Sequence, residues 1–300
     1  MNSRFIKGVI WVALGAACYG MIATFVKVGA KDGYSTAELT FAQGFVGLLG
    51  LTLLNLIQKL RKPTLNRKVD SKSRWQLILG GIPFGLTSSF YYLSLNYASV
   101  SVCIVMLMQS VWIGSVLDYI LYRNKPTKNK LMAIAVVLVG TVLATNLLSS
   151  DQYVDWRGIV WGFMAALSYT VSISVTNRVA TGYPPLVRSM YILIGSFCVV
   201  TLIWGYSLSQ QFDISVLWRW GFLIALFGTI LSPLLFTKGM PIIGIGLGSI
   251  LASVELPVSV TMAWLILGET VDPGQWIGII LILSAVVLMN LSYFQPVKSD

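Results

Sequence analysis

The chain has 300 residues, 56% of them hydrophobic and only 11% charged, and its mean hydropathy is +0.78. A water-soluble domain carries about 25% charged residues, so this composition excludes a soluble protein and places the chain in lipid. The formal net charge of +10 would suit a nucleic-acid binder, but the basic residues lie between apolar runs or near their ends, where they orient membrane spans, and no nucleic-acid partner is expected.

Ten apolar runs, near 8–28, 36–58, 75–95, 99–121, 129–148, 158–178, 185–206, 217–237, 245–267 and 274–294, predict an all-α integral membrane protein of ten transmembrane helices. Each run is close to the ~20 residues a helix needs to cross the hydrocarbon core. Helices are required because lipid offers the backbone no hydrogen-bond partners, and the runs lack the alternation of a membrane barrel. The first run follows Arg4 and Lys7 and carries Trp11, Cys18 and Tyr19. It has the look of a signal peptide, but its removal would leave nine spans, so it reads as the first span. The second opens at Glu38 and holds Gln43 in its outer half. A basic segment at 59–74 follows and reads as a loop facing anionic headgroups. Pro83 interrupts the third run. Gln109 is central in the fourth, with Asp118 nearer its end. The join near 149–157, SSDQYVDWR, divides the chain into units 1–149 and 150–300. The sixth run carries Trp161 and Tyr169, the eighth Pro233, and the ninth Glu255 and Pro257.

Seventeen of the 21 basic residues fall on the side of the N-terminus, and only Lys27, Lys31, Arg157 and Arg219 on the other. The positive-inside rule then puts both termini in the cytoplasm. The three cysteines, Cys18, Cys103 and Cys198, lie far apart within runs and read as packing residues, without a disulfide framework. Trp11 and Trp161 read as interfacial belt residues. The glycines at 44, 47 and 50, and at 80, 81 and 85, read as helix-packing positions.

The two units repeat one another. Gly8, Trp11 and Tyr19 match Gly158, Trp161 and Tyr169 at a spacing of 150, and Gln109 matches Glu255 at 146 within segments 106–127 and 252–273. Five spans per unit send the second copy into the membrane from the opposite side. Such inverted repeats mark transporters that rock around a midplane site. Glu255 is the acid placed near mid-depth. An ionised carboxylate there costs several kcal/mol, so it should face the protein interior or water, where it can exchange a proton or meet a cationic group. Gly244, Gly248 and Ala252 share its helix face and should let another helix approach. Pro257 should leave the Ser253 carbonyl without its helical partner. Gln109, Tyr19, Tyr169 and Gln43 are the further candidate substrate contacts, in a cavity expected between spans 1, 4, 6 and 9. An interhelical hydrogen bond is the plain alternative role for Glu255 and Gln109. Pro83, Pro233 and Pro257 are candidate gating kinks.

The stretch 250–283, with Glu255 before Pro257, Leu267-Gly268-Glu269 and Gln275-Trp276-Ile277-Gly278, resembles the drug/metabolite transporter superfamily, specifically its EamA-type members. Tyr122-Arg123 stands where that pattern usually has Gly-Glu, and Gln43 where it often has a basic residue. The resemblance implies a central cavity lined from both halves, and movement of amino acids, metabolites or drug-like compounds, often outward, across the bacterial cytoplasmic membrane. A secondary transporter with a small-molecule substrate is therefore expected, with a proton as candidate co-substrate at Glu255. An uncoupled facilitator is the rival within that class, and a membrane scaffold or sensor lies outside it. No enzyme, cofactor or metal site is expected. Histidine is absent and no phosphate-binding loop is present, while the pairs Lys27 with Glu38 and Asp118 with Arg123 read as ordinary helix-end charges.

Overall fold

A computed structural model describes residues 3–61, 69–95, 97–98, 100–144, 155–268 and 271–294. The join at 145–154 and the Glu269 of the quoted stretch lie outside them. The described chain is helical, with no β-strand among the described residues. Its elements are α1 (Ser3–Lys31), α2 (Thr36–Arg61), α3 (Ser71–Leu95), α4 (Val100–Met108), α5 (Ser110–Tyr122), α6 (Lys128–Ala144), α7 (Trp156–Arg178) and α8 (Pro185–Gln210). A rod at Leu217–Ile243 follows, made of α9 (Phe222–Ala225) and α10 (Ser232–Ile243) with π-helical turns at Leu217–Gly221 and Leu226–Leu231. The chain continues through α11 (Ile245–Ala252), α12 (Glu255–Leu267) and α13 (Pro273–Phe294).

Helix starts are chemically marked. Ser35 and Glu38 form a reciprocal capping box at α2, with Ser35 N–H donating to Glu38 Oε2 at 2.7 Å and Glu38 N–H to Ser35 Oγ at 3.2 Å. Asp70 accepts from Ser73 N–H before α3, Asp155 from Arg157 N–H before α7, and Pro185 opens α8.

Seven helical segments are long and apolar enough to cross a membrane. Helices also stand at the third, fifth and tenth expected positions but fall outside that criterion. α3 is diluted by Lys72, Arg74, Gln76 and three hydroxyl residues at 87–89, α6 has 17 residues, and the apolar part of α13 spans Pro273–Val286. Leu14, Leu53, Leu202 and Leu265 point outward as lipid-facing side chains do. The three most exposed tryptophans, Trp75, Trp156 and Trp218, each stand at the start of a helical rod, where a belt residue belongs, while Trp112, Trp264 and Trp276 are also exposed. Trp11 and Trp161 are instead half-buried, Trp11 under Lys238 Nζ and Trp161 stacked on Phe90 at 5.5 Å.

α3 packs on α7 and α8, α1 on α10 and α12, α2 on α8 and the π-helical rod, α4 on α7, α5 on α11, and α6 on α13. The pairs α3–α7 and α1–α10 exchange when the first five rods are swapped for the last five, as do α4–α7 and α1–α11, while α2–α8 and α6–α13 map onto themselves. Glycine makes the tightest of these contacts possible. A methyl group added at Gly81 or Gly195 would fall on the Ile192 or Ile78 carbonyl across the α3–α8 seam, and one at Gly278 on the backbone of α6.

Candidate functional site

Both repeat-matched polar residues stand where a rod breaks. α4 ends at Met108 and α5 begins at Ser110, so Gln109 is the joint. α11 ends at Ala252 and α12 begins at Glu255. Around this second break Ser253 N–H donates to Ile250 O, Val254 N–H to Leu251 O, and Leu256 N–H to Ser253 O at 3.1 Å. The Ser253 carbonyl is therefore satisfied by a tight turn, which corrects the expectation that Pro257 leaves it bare. Gly244, expected on the packing face, is the left-handed joint between α10 and α11 at φ 82°. Gly248 does pack, against the Met240 thioether.

Glu255 is half-buried, and its Oε2 accepts the Tyr169 hydroxyl at 3.4 Å. The Tyr169 ring is in turn 6.3 Å from that of Tyr19. The bare backbone of Gly20 lets α1 lie against the Glu255 carbonyl, where a side chain would collide. Three of the five predicted substrate contacts thus lie side by side, Glu255 hydrogen-bonded to Tyr169 and the Tyr169 ring beside that of Tyr19.

Tyr19 also faces a small, partly open cleft. Gln43 lines the same cleft, as does Pro233. Residues of α1, α2 and α3 form one wall, and residues of α8, the Leu226–Leu231 turn and α10 the other, so the cleft lies between the two halves of the chain. The cavity expected between spans 1, 4, 6 and 9 is displaced from that position. α5, α7 and α11 pack into one another through Val111, Ile173 and Leu247, which closes that region as apolar core.

Gln109 does not line the cleft. Its amide nitrogen donates to Val105 O at 3.0 Å and its oxygen accepts the Trp112 indole N–H at 2.8 Å. Of the expected kinks, Pro233 stands at the cleft wall directly after a π-helical turn, in which Ser232 N–H reaches back five residues to Phe227 O. Pro83 sits within an unbroken α3, and Pro257 in the first turn of α12.

Sequence reasoning missed the hydroxyl lining: Thr40, Ser88, Ser189, Ser196 and Thr229, with Phe84 and Phe197 between them. The available signal was the nearness of Ser88 to Pro83 and of Thr229 to Pro233, two of the candidate kinks. Two basic residues counted on the side of the N-terminus, each near the start of an apolar run, are also buried. Arg188 is 1% exposed and donates to the carbonyls of Thr176, Val179 and Thr237, tying the end of α7 to α10. Lys130 pairs with Asp118 at 3.4 Å, and Asn124 donates to the same carboxylate, so Asp118 is paired with Lys130 and not with Arg123. Glu38 accepts from Ser35 and from the Asp213 backbone N–H at 2.7 Å.

The EamA-like transporter family model matches residues 6–146 and again 156–291, which is most of the chain. The chain belongs to the EamA-like transporter family. It is a multi-pass membrane transporter. This EamA-like transporter is 23% identical over 278 residues to an uncharacterized transporter of Archaeoglobus fulgidus, covering 92% of this chain and 94% of that one. A protein of known crystal structure shares its fold with a TM-score of 0.78 at 13% identity, over 97% of this chain and 99% of that one.

Proposed function

We propose that this EamA-like protein is a secondary transporter that exports a small metabolite, amino acid or drug-like compound by alternating access. The solute binds in the cleft between two inverted five-helix repeats, divided near residue 149, in a ten-span chain with both termini on the side of the basic loops. One observation carries the reading: the cleft is walled by residues from both halves, so a relative movement of the halves must open or close it. The exchange of packing pairs between the halves supports the repeat.

In this reading Tyr19 and Gln43 contact the solute, and Glu255 carries a proton whose release and uptake alternate with solute binding. Tyr169 and Tyr19 link the two events. The test is the Glu255→Gln variant in proteoliposomes. Coupled antiport predicts that an imposed pH gradient no longer drives uptake while solute exchange continues. An unchanged pH-gradient response removes Glu255 from coupling.

A second reading, uncoupled facilitated diffusion through the same cleft, is favoured by one observation. Glu255 is not part of the cleft lining and reaches it only through the tyrosine pair. It predicts that wild-type transport follows the solute gradient alone at every pH difference.

A further inference from the structure

We infer that the cleft selects solutes bearing N–H or O–H donors on an apolar body and rejects those carrying a carboxylate, sulfate or phosphate. This rests on the proposal that the cleft is the solute site, and it separates amines and alcohols from amino acids and phosphorylated metabolites within that proposal.

The first observation is charge. No Lys, Arg, Asp or Glu side chain lines the cleft. The nearest buried cation by sequence, Arg188, adjoins the cleft residue Ser189 but donates to three backbone carbonyls. An anionic group entering the cleft would leave water without gaining a counter-charge, which is strongly unfavourable.

The second observation is the direction of the hydroxyl protons. Ser88 Oγ donates to the Gly85 carbonyl at 3.1 Å. Thr229 Oγ1 donates to the Gln43 carbonyl at 3.1 Å. Ser189 Oγ is 3.0 Å from Thr237 Oγ1, and Thr237 directs its own proton to the Leu234 carbonyl, so the Ser189 proton serves Thr237. What these three hydroxyls present to a ligand is lone pairs. A hydroxyl has two acceptor sites and one proton, so once the proton is committed to the backbone the group recognises donors. Thr40, whose proton goes to the Thr36 carbonyl, follows the same rule on the donor side.

The third observation is the aromatic surface. Tyr19, Phe84 and Phe197 line the cleft beside these acceptors. Their faces accommodate an apolar body and attract a positively charged nitrogen. The Gln43 amide and the Tyr19 hydroxyl, also in the lining, can donate, but they are neutral and do not replace the counter-charge an anion needs. Acceptors, aromatic faces and the lack of a lining cation together favour a donor-bearing amphipathic solute.

Three probes on one skeleton test this: 2-phenylethylamine, 2-phenylethanol and phenylacetate. Binding to the protein in nanodiscs is read by saturation-transfer NMR against empty nanodiscs, which removes partition into lipid. The amine and the alcohol are expected to bind, and phenylacetate to bind at least tenfold more weakly. Thr229→Val keeps the shape and removes one acceptor, and should weaken amine binding about fivefold, the scale of one hydrogen bond. Ser88→Ala is the parallel variant should Thr229→Val fail to fold. Phenylacetate binding as tightly as the amine would overturn the inference and leave the cleft as a solute site. Absence of binding by all three would also overturn it. The transport proposal would then still be judged separately, by counterflow across an unbiased set of solutes.

Discussion

Buried Arg188 and half-buried Glu255 are held in different ways. Arg188 has its donors on backbone carbonyls and serves architecture, whereas Glu255 has one long contact, from Tyr169 at 3.4 Å, and keeps room to change state. Tyr169→Phe removes that contact and leaves the ring against Tyr19. A bond of that length is worth about 1 kcal/mol, so pH-driven uptake should fall about fivefold with little change in stability, measured by initial rates and thermal unfolding of the same preparation. Backbone strain is also local. Ala180 occupies the left-handed region at φ 50°, which is unfavourable for a residue with a Cβ. Ala180→Gly should raise stability by about 1 kcal/mol in thermal unfolding, and a loss of stability would show that the methyl group has a packing role. Glu255, Tyr169 and Tyr19, which the structure brings side by side, stand out in the sequence because titratable and phenolic groups are conspicuous in apolar runs. Ser88 and Thr229 do not, because a hydroxyl in a membrane helix ordinarily bonds its own helix, and only the fold reveals which hydroxyls also face a cleft. Symmetry also places Gln109 with Glu255, whereas the nearby Trp112 indole occupies the Gln109 oxygen.

At the scale of elements, glycine decides which helices can touch. Within α8, Gly195 meets the α3 backbone while nothing lies within 4 Å of a methyl group at Gly205. Gly195→Ala should therefore destabilise by about 1–3 kcal/mol through overpacking, and Gly205→Ala should stabilise by about 0.5–1 kcal/mol through helix propensity. Equal effects of the two in thermal unfolding would contradict the close seam. The proposed repeat is matched by a pair of tethers between residues far apart in the chain. The Tyr34 hydroxyl, between α1 and α2, lies 2.6 Å from Ser215 Oγ just before the π-helical rod. The Tyr183 hydroxyl, between α7 and α8, donates to Asp70 just before α3. These are corresponding places in the two halves. Under alternating access the tethers close opposite ends, so Tyr34→Phe and Tyr183→Phe should shift cysteine-reagent accessibility of the cleft in opposite directions. A shift in the same direction would contradict that assignment. The Tyr183 hydroxyl and the Ser73 N–H hold the Asp70 carboxyl below its ordinary range. Because the folded value is the depressed one, the tether is fully present above the unfolded carboxylate range and is lost only as pH falls through the lower folded value. Its effect should therefore stay constant across neutral and mildly acidic pH.

For the whole molecule, the all-helical membrane class was legible in the sequence because hydropathy reports lipid exposure directly, and the described residues of each apolar run are mainly helical. The position of the cavity was not legible. Periodicity identifies apolar faces but not which of several apolar helices fill the centre, and here α5, α7 and α11 do so, displacing the cleft toward α2, α3 and α8. The kink candidates Pro83 and Pro233 came closer, since both rods that carry them line the cleft. The central claim is that solute passes through this cleft between the halves. Counterflow in proteoliposomes, screened over amines, alcohols, amino acids and nucleosides, tests it most directly when wild type is compared with Gln43→Trp, which fills the cleft from α2. The account predicts a counterflow signal in the wild type that disappears in the correctly folded, filled variant. Undiminished counterflow with the cleft filled would contradict it and place the route elsewhere in the protein.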